Sequence, residues 1–268
     1  MTPSTWGGLL KGWEHHLRAS GAPKTTIDQR LYHLGRLQRE IGCPAHEVTS
    51  EQLVEWLAAH RWGPNTRRSY RGSLRGFFGW AHAAGKIRRN PALLVPVVRV
   101  PRGRPRPIHE TAYRHALATS SGRERLAIRL AGQCGLRRTE VAELAREALE
   151  ETLAGWSLRV VGKGGHVRMV PVPDDLAAEI LRHPAGWLFP SPHGGHLTPA
   201  HLGKIVARRL PGAFATHSLR HRAASVGYAG TRDLRAVQEL LGHASPETTA
   251  IYTAVPDTWI RAAMLAAA

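Results

Sequence analysis

The chain has 268 residues, 43% of them hydrophobic, enough for one large core or two ordinary ones. Lys and Arg number 37 against 20 Asp and Glu, a formal net charge of +17, which points to a polyanionic partner, nucleic acid before an anionic membrane. No apolar run approaches the roughly 18 residues that cross a bilayer, "MTPSTWGGLLKGWEHH" lacks a signal-peptide pattern, and two cysteines are too few for a disulfide scaffold; the expectation is a cytoplasmic, nucleoid-associated protein with no membrane partner.

The first hundred residues read as four helices. One spans about Trp6 to Leu17. In the next, Ile27, Leu31, Leu34, Leu37 and Ile41 follow a helical period that Gly42 and Pro44 stop. "TSEQLVEWLAAH" opens with a Thr/Ser cap and sets Leu53, Trp56 and Leu57 on one face. "PNTRRSYRGSLRGFFGWAHAAG" starts at Pro64 and Asn65 and aligns Tyr70, Leu74, Phe77, Phe78 and Ala81. Opposite that apolar stripe Arg67, Arg68, Arg71 and Arg75 recur at helix spacing. The texture then changes: "VPVVRVPRGRPRPIHE" interleaves prolines 96, 101, 105 and 107 with arginines 99, 102, 104 and 106, a stiff extended connector. Residues 1–95 and 108–268 are thus expected to be separate domains joined by a linker over 96–107. Residues 1–107 carry a net +12 and residues 108–268 a net +5, so most of the excess charge lies in the smaller, first part.

The second part reads as mostly helical with one β element. "SLRVV" and "HVRMVPV" alternate like strands around a "GKGG" turn that carries Lys163. Helices are expected over Ala200–Leu210, Ser218–Ala229, Leu234–Leu241 and from Asp257 onward. Four short stretches bear chemistry. In "CGLRRTEVAELAR" Gly135 closes one helix and Arg137 opens another, where a guanidinium beside free backbone N–H groups suits a phosphate or simply adds surface charge. In "THSLRHRAAS" His217 and Arg220 lie three apart at a helix start; His217 with His221 has metal-pair spacing, but the companion Glu and a third ligand are lacking, so no metal is expected. The lysine turn is no P-loop, since GxxxxGK[ST] is absent and a strand follows. In "LLGHASPETTAIYTAV" His243 precedes Tyr252 by nine residues.

Taken in order, "GLRRTEVAEL", "GKGGHVRMVPV", "HSLRHRAAS" and "LLGHASPETTAIYTAV" resemble the motifs of the tyrosine recombinases, the lambda-integrase-like superfamily. The likeness runs from about residue 5, since "GKIRRNPALLVP" is similar to the end of the family's core-binding domain. It implies a mainly α protein: an N-terminal four-helix, SAM-like core-binding domain and a mixed, mostly helical catalytic domain with a small β-hairpin. It also implies that Tyr252 attacks a DNA phosphodiester, leaving a 3′-phosphotyrosine and a free 5′-hydroxyl. Arg137 and Arg220 would neutralise the nonbridging oxygens, His243 would add a hydrogen bond, Lys163 would protonate the leaving oxygen and His217 would manage the nucleophile's proton, with no metal, ATP or other cofactor. Glu140, three residues after Arg137, matches an acidic position of the family and equally suits a helix start on dipole grounds.

By the same resemblance the helix of Arg67, Arg68, Arg71 and Arg75 lies against double-stranded DNA, and Arg104 and Arg106 track its phosphates from the linker. The expected partners are a core site, three further protomers in a homotetramer and a directionality factor. Phage or mobile-element integration is the favoured task. Xer-like resolution of replicon dimers, type IB topoisomerase nicking-closing and non-catalytic DNA binding are the alternatives, the last opposed by the complete residue set. After Pro256 the tail sets Trp259, Ile260, Ala263, Met264 and Ala267 on one side, an apolar face to be buried on its own domain or, as the resemblance implies, on a neighbouring protomer.

Overall fold

The computed structural model describes residues 5–101, 106–162, 165–242 and 264. The chain divides into two compact units, Met1–Gly103 and Arg104–Ala268, each with its own core.

In the first unit the described helices are α1 (Trp6–Ala19), α2 (Lys24–Ile41), α3 (Ser50–Ala59) and α4 (Pro64–Ala83). Three of the four begin on a device visible in the sequence. Thr5 accepts from the Gly8 N–H, Thr49 and Gln52 close a reciprocal capping box, and Pro64 occupies the first position of α4. The apolar faces meet in one core, with Leu34, Leu53, Leu74, Phe77 and Phe78 wholly buried. Each such side chain is worth about 1.5–3 kcal/mol of transfer free energy. Beside it His60, Trp62, Tyr70 and His33 stack face to face at centroid separations of 4.0, 3.9 and 3.8 Å, tying α2 to α4 and to the loop after α3. Glu40 accepts from Trp56 Nε1 at 2.8 Å and from Arg36, which locks α2 to α3.

The second unit runs α5 (Glu110–Thr119), α6 (Gly122–Gly132), α7 (Arg138–Ala142), β1 (Leu149–Thr152), β2 (Gly155–Val161), β3 (Val167–Pro171), α8 (Asp174–Leu181), α9 (Pro199–Ala207), α10 (Thr216–Thr231) and α11 (Leu234–Leu241). Helix α6 is the central one: Leu126, Ala127, Ile128, Leu130 and Ala131 are all fully buried, and α5, α9 and α10 pack around it. Its one buried cation, Arg129, is held by Asp175 and Glu179 of α8. Arg222 of α10 lies 3.8 Å over the Tyr113 ring and donates to the Gly132 carbonyl and to Glu110, joining α5, α6 and α10.

The sheet is antiparallel in the order β1-β2-β3, with Leu158 opposite Val170 and Val161 opposite Val167. The hairpin agrees with the sequence reading; β1 is an addition to it. "LEET" is largely exposed and lacks an alternating apolar face, so only its pairing to β2 makes it a strand. Helices α9 and α10 also differ by one to three residues from the expected bounds, because Thr198 caps the former and Thr216 is already in helix. Gly135 stands two residues beyond the capping Gln133, in the link between α6 and α7 rather than at the helix end. The thiol of Cys134 is buried, and burial raises its pKa to about 12, whereas Cys43 is half-buried. Among the described residues no helix is long and apolar enough to cross a membrane.

Phe77→Ala should lower the stability of the first unit by about 3–5 kcal/mol, because the ring is fully enclosed and the cavity cannot collapse. Differential scanning calorimetry should show the transition of this unit shifting while that of the second unit stays in place.

Candidate active site

The link between α6 and α7 brings the first arginine into position. Gly135 has φ +65, and a Cβ there would stand 2.8 Å from Leu241 Cδ2, so the turn needs glycine twice over. Leu136 is then driven into the core and Arg137 becomes the cap residue of α7, with extended φ and ψ.

Glu140, one turn into α7, reaches back to accept the Arg137 N–H at 2.8 Å and the Arg137 guanidinium at 2.7 Å. It is only 5% exposed. From β3, Arg168 donates to both of its oxygens, at 3.0 and 2.8 Å, and Arg220 Nη1 of α10 stands 3.9 Å away. Burial pushes the carboxyl up, but the Arg168 guanidinium, the Arg137 amide and the remaining cations outweigh it and hold the group at about 2. Glu140 is therefore an ionised hub for three guanidinium groups, which favours the orienting role over the bare helix-start reading.

Arg220 is 2% exposed and donates to the carbonyls of Gly135 and Leu241, the latter at 2.7 Å. Arg137 keeps 32% of its side chain open and donates to the Gly242 carbonyl at 3.2 Å. Of the two, Arg137 is the one that meets solvent. His217 stands exposed in the first turn of α10, edge-on to His221 with centroids 4.2 Å apart. Burial, then Arg220 and Arg137, lower the His217 pKa, and burial with His217 and Arg220 takes His221 to about 4. Both shifts favour the neutral ring, the state in which an imidazole accepts a proton.

The structure thus gathers Arg137, Glu140, His217 and Arg220 at one place. Lys163, His243 and Tyr252, and Arg104 of the linker, lie outside the described residues. Their described flanks are Gly162 and Gly165, joined by a 3.1 Å hydrogen bond across the hairpin turn, and Gly242, at the end of α11. Arg106 is exposed. On α4, Arg68 and Arg75 are exposed, whereas Arg67 donates to the His60 carbonyl and Arg71 to that of Val95, so two of the four arginines also brace their own unit.

One member of the cluster, Arg168, has no place in the sequence reading. The signal was available: in "HVRMVPV" the period of two puts Arg168 on the same face as the buried Val170. A cation at an inward strand position demands an acid, and Glu140 is that acid.

Residues 108–258 match the phage integrase family, more than half of the chain. The chain belongs to that family. It is a tyrosine recombinase, a site-specific DNA recombinase or integrase by class. The recombinase is 32% identical to "Tyrosine recombinase XerC" of Nitrobacter winogradskyi across 93% of this chain and 89% of the relative. Among solved structures it superposes on XerH site-specific recombinase bound to palindromic difH substrate with a TM-score of 0.74, at 22% identity, covering 97% of this chain and 84% of that one. A lambda integrase tetramer bound to a Holliday junction gives 0.74 at 19% identity over 91% and 78%. These likenesses establish the mostly helical fold with its small sheet.

The Glu140 carboxyl has its pKa depressed from 4.5 to about 2, so its contribution to stability is complete above 4.5 and lost as pH falls through 2. That shift corresponds to roughly 3 kcal/mol. Glu140→Gln should therefore destabilise the second unit by about 3 kcal/mol at pH 7, and urea titrations should show the deficit against wild type shrinking as pH is lowered from 4.5 toward 2.

Proposed function

We propose that this recombinase cuts and rejoins DNA through a 3′-phosphotyrosine at Tyr252. The observation that carries the reading is the arginine cluster on Glu140 beside a neutral His217. Three guanidinium groups around one carboxylate leave a surplus of two positive charges, as a site for a phosphodiester requires. Arg137 and Arg220 offset the charge that builds on the nonbridging oxygens. His217, its pKa lowered, takes the proton of the Tyr252 hydroxyl as that oxygen bonds to phosphorus. Lys163 gives a proton to the departing 5′-oxygen, and His243 hydrogen-bonds the phosphoryl group. The phosphotyrosine conserves the ester bond, so a second 5′-hydroxyl displaces Tyr252 and reseals the strand without metal or ATP.

The DNA-facing surface of the first unit is the exposed side of α4, with Arg68 and Arg75 at its centre and Arg67 and Arg71 at its margin. Arg104 and Arg106 of the connector add further phosphate contacts. Such contacts give affinity and register, and sequence choice lies elsewhere. The working assembly is a tetramer on two core sites in the cytoplasm, a reading supported by the lambda integrase tetramer, with a directionality factor as a further partner. Integration of a mobile element and Xer-like resolution of replicon dimers use the same chemistry. The XerC relative, alike over nine-tenths of both chains, favours the second.

A nicked suicide duplex carrying the core site, found by selection from random duplexes, tests the chemistry. Wild type should give an SDS-resistant adduct in EDTA without ATP, and Tyr252→Phe should bind equally well and give none; an adduct from the Phe variant sinks the assignment. Arg68→Ala and Arg75→Ala should weaken binding to all sequences alike, each lowering the slope of log K against log salt by about 1. An unchanged slope places the duplex on another face.

A further inference from the structure

We propose that Arg168 is a positioning residue for strand cleavage, tying the β2–β3 hairpin, whose turn carries Lys163 in the sequence, and Glu140, the partner of Arg137, to the end of α11, which His243 follows in the sequence. The inference rests on the roles given above to those three residues.

The end of α11 has an unusual arrangement. Its successive carbonyls of Leu240, Leu241 and Gly242 each accept from a different arginine: Arg168 Nε at 3.2 Å, Arg220 Nη2 at 2.7 Å and Arg137 Nη2 at 3.2 Å. Carbonyls at a helix C-terminus have no partner within the helix and sit at the negative end of its dipole, so a cation there is favourable. Two of the three arginines are the proposed phosphate ligands. Arg168 is the third, and its side chain is only 11% exposed. Its Nε goes to Leu240 and its two Nη groups go to the two oxygens of Glu140, so its fork is committed to protein groups.

Place in the chain gives that contact its meaning. Arg168 follows Lys163 by five residues on the strand leaving the turn, and Leu240 precedes His243 by three. The arginine therefore spans the two segments that carry these side chains, while its carboxylate partner fixes the Arg137 guanidinium. Gly242 shows how close the fit is. A Cβ there would fall 2.7 Å from Arg168 Cδ, and the residue sits at φ +62, so the chain bends over the stem of Arg168 immediately before His243. A lysine in this place keeps the charge but cannot serve the carboxylate fork and the carbonyl together.

The groups facing Glu140 are Arg137 of α7, Arg168 of β3 and Arg220 of α10, together with the Arg137 amide. Without Arg168 the carboxyl protonates at a higher pH, and protonation releases Arg137. Cleavage should then fail from the acid side. In Arg168→Met, affinity for the core site should stay within about threefold of wild type, while adduct formation at pH 7.5 should slow about 100-fold, the scale of a small misplacement of reacting groups. The deficit should widen as pH is lowered to 5.5. Arg168→Lys, which keeps the charge, should be slow with a wild-type pH profile. In both variants amide hydrogen exchange at residues 238–242 should quicken. Unchanged exchange there overturns the clamp whatever the cleavage rates. So does a loss of cleavage that merely follows the folded fraction at every pH, and Arg168→Lys keeps the question answerable if Arg168→Met does not fold. Quickened exchange in variants of a wild type that forms no adduct upholds the tie to α11 and sinks the Tyr252 chemistry instead.

Discussion

An ionised carboxylate cannot be enclosed in protein without cations around it, and the second unit is arranged about that fact. Glu140 draws a guanidinium from α7, one from β3 and one from α10. Those elements lie far apart in sequence, so satisfying one acid fixes the mutual placement of three segments. The guanidinium groups repel one another, and the carboxylate, the run of carbonyls at the end of α11 and the Gly135 carbonyl make their company stable. The neutralisation is deliberately incomplete in physical terms: the surplus positive charge waits for an anion. The phosphodiester proposed above would enter a field already in place and need no reorganisation of the protein's dipoles.

The two units divide the work. The first has the larger share of the net charge and a rigid aromatic interior, with His60, Trp62, Tyr70 and His33 stacked between helices. Rigidity of that kind suits a surface that must present arginines in fixed register to a polyanion. The second unit buries Arg168 and Arg220, leaves Arg137 partly open and sets beside them a histidine whose pKa is lowered. The first unit offers exposed arginines to solvent, and the second gathers its guanidinium groups around one enclosed carboxylate. The difference is one of dielectric: an enclosed guanidinium acts with far greater strength than one in water.

How much of this was legible in the sequence depended on whether a residue's surroundings are local. Helices α2 and α4 could be read from their apolar period and their stops, and α11 emerged with the expected bounds, Leu234–Leu241, with Asp233 capping it. The mostly helical class and the β2–β3 hairpin could be read for the same reason. Helix α6 could not be read by period, because Leu126 to Gly132 are buried without a break, Arg129 included, and leave no exposed polar face in that stretch. Strand β1 is held by a ladder to β2 that its own residues do not announce. At the site, motif order brought Arg137, Glu140, His217 and Arg220 forward. It did not reveal that Glu140 is the hub, or that Arg168 serves it, since both depend on a contact across 28 residues. Arg67 and Arg71 show the converse: spacing placed them on a basic face, while their bonds to the carbonyls of His60 and Val95 give them a second, structural duty.

The buried thiol of Cys134 lies three residues before Arg137, at the mouth of the link that Gly135 turns. Burial raises its pKa to about 12 and so disfavours alkylation, for the thiolate is the reacting species. It reacts only when α6 and its continuation part from the core, and the rate at which it does so measures that opening directly. The molecule thus carries, three residues before Arg137, a thiol whose reactivity would gauge local opening of the second unit.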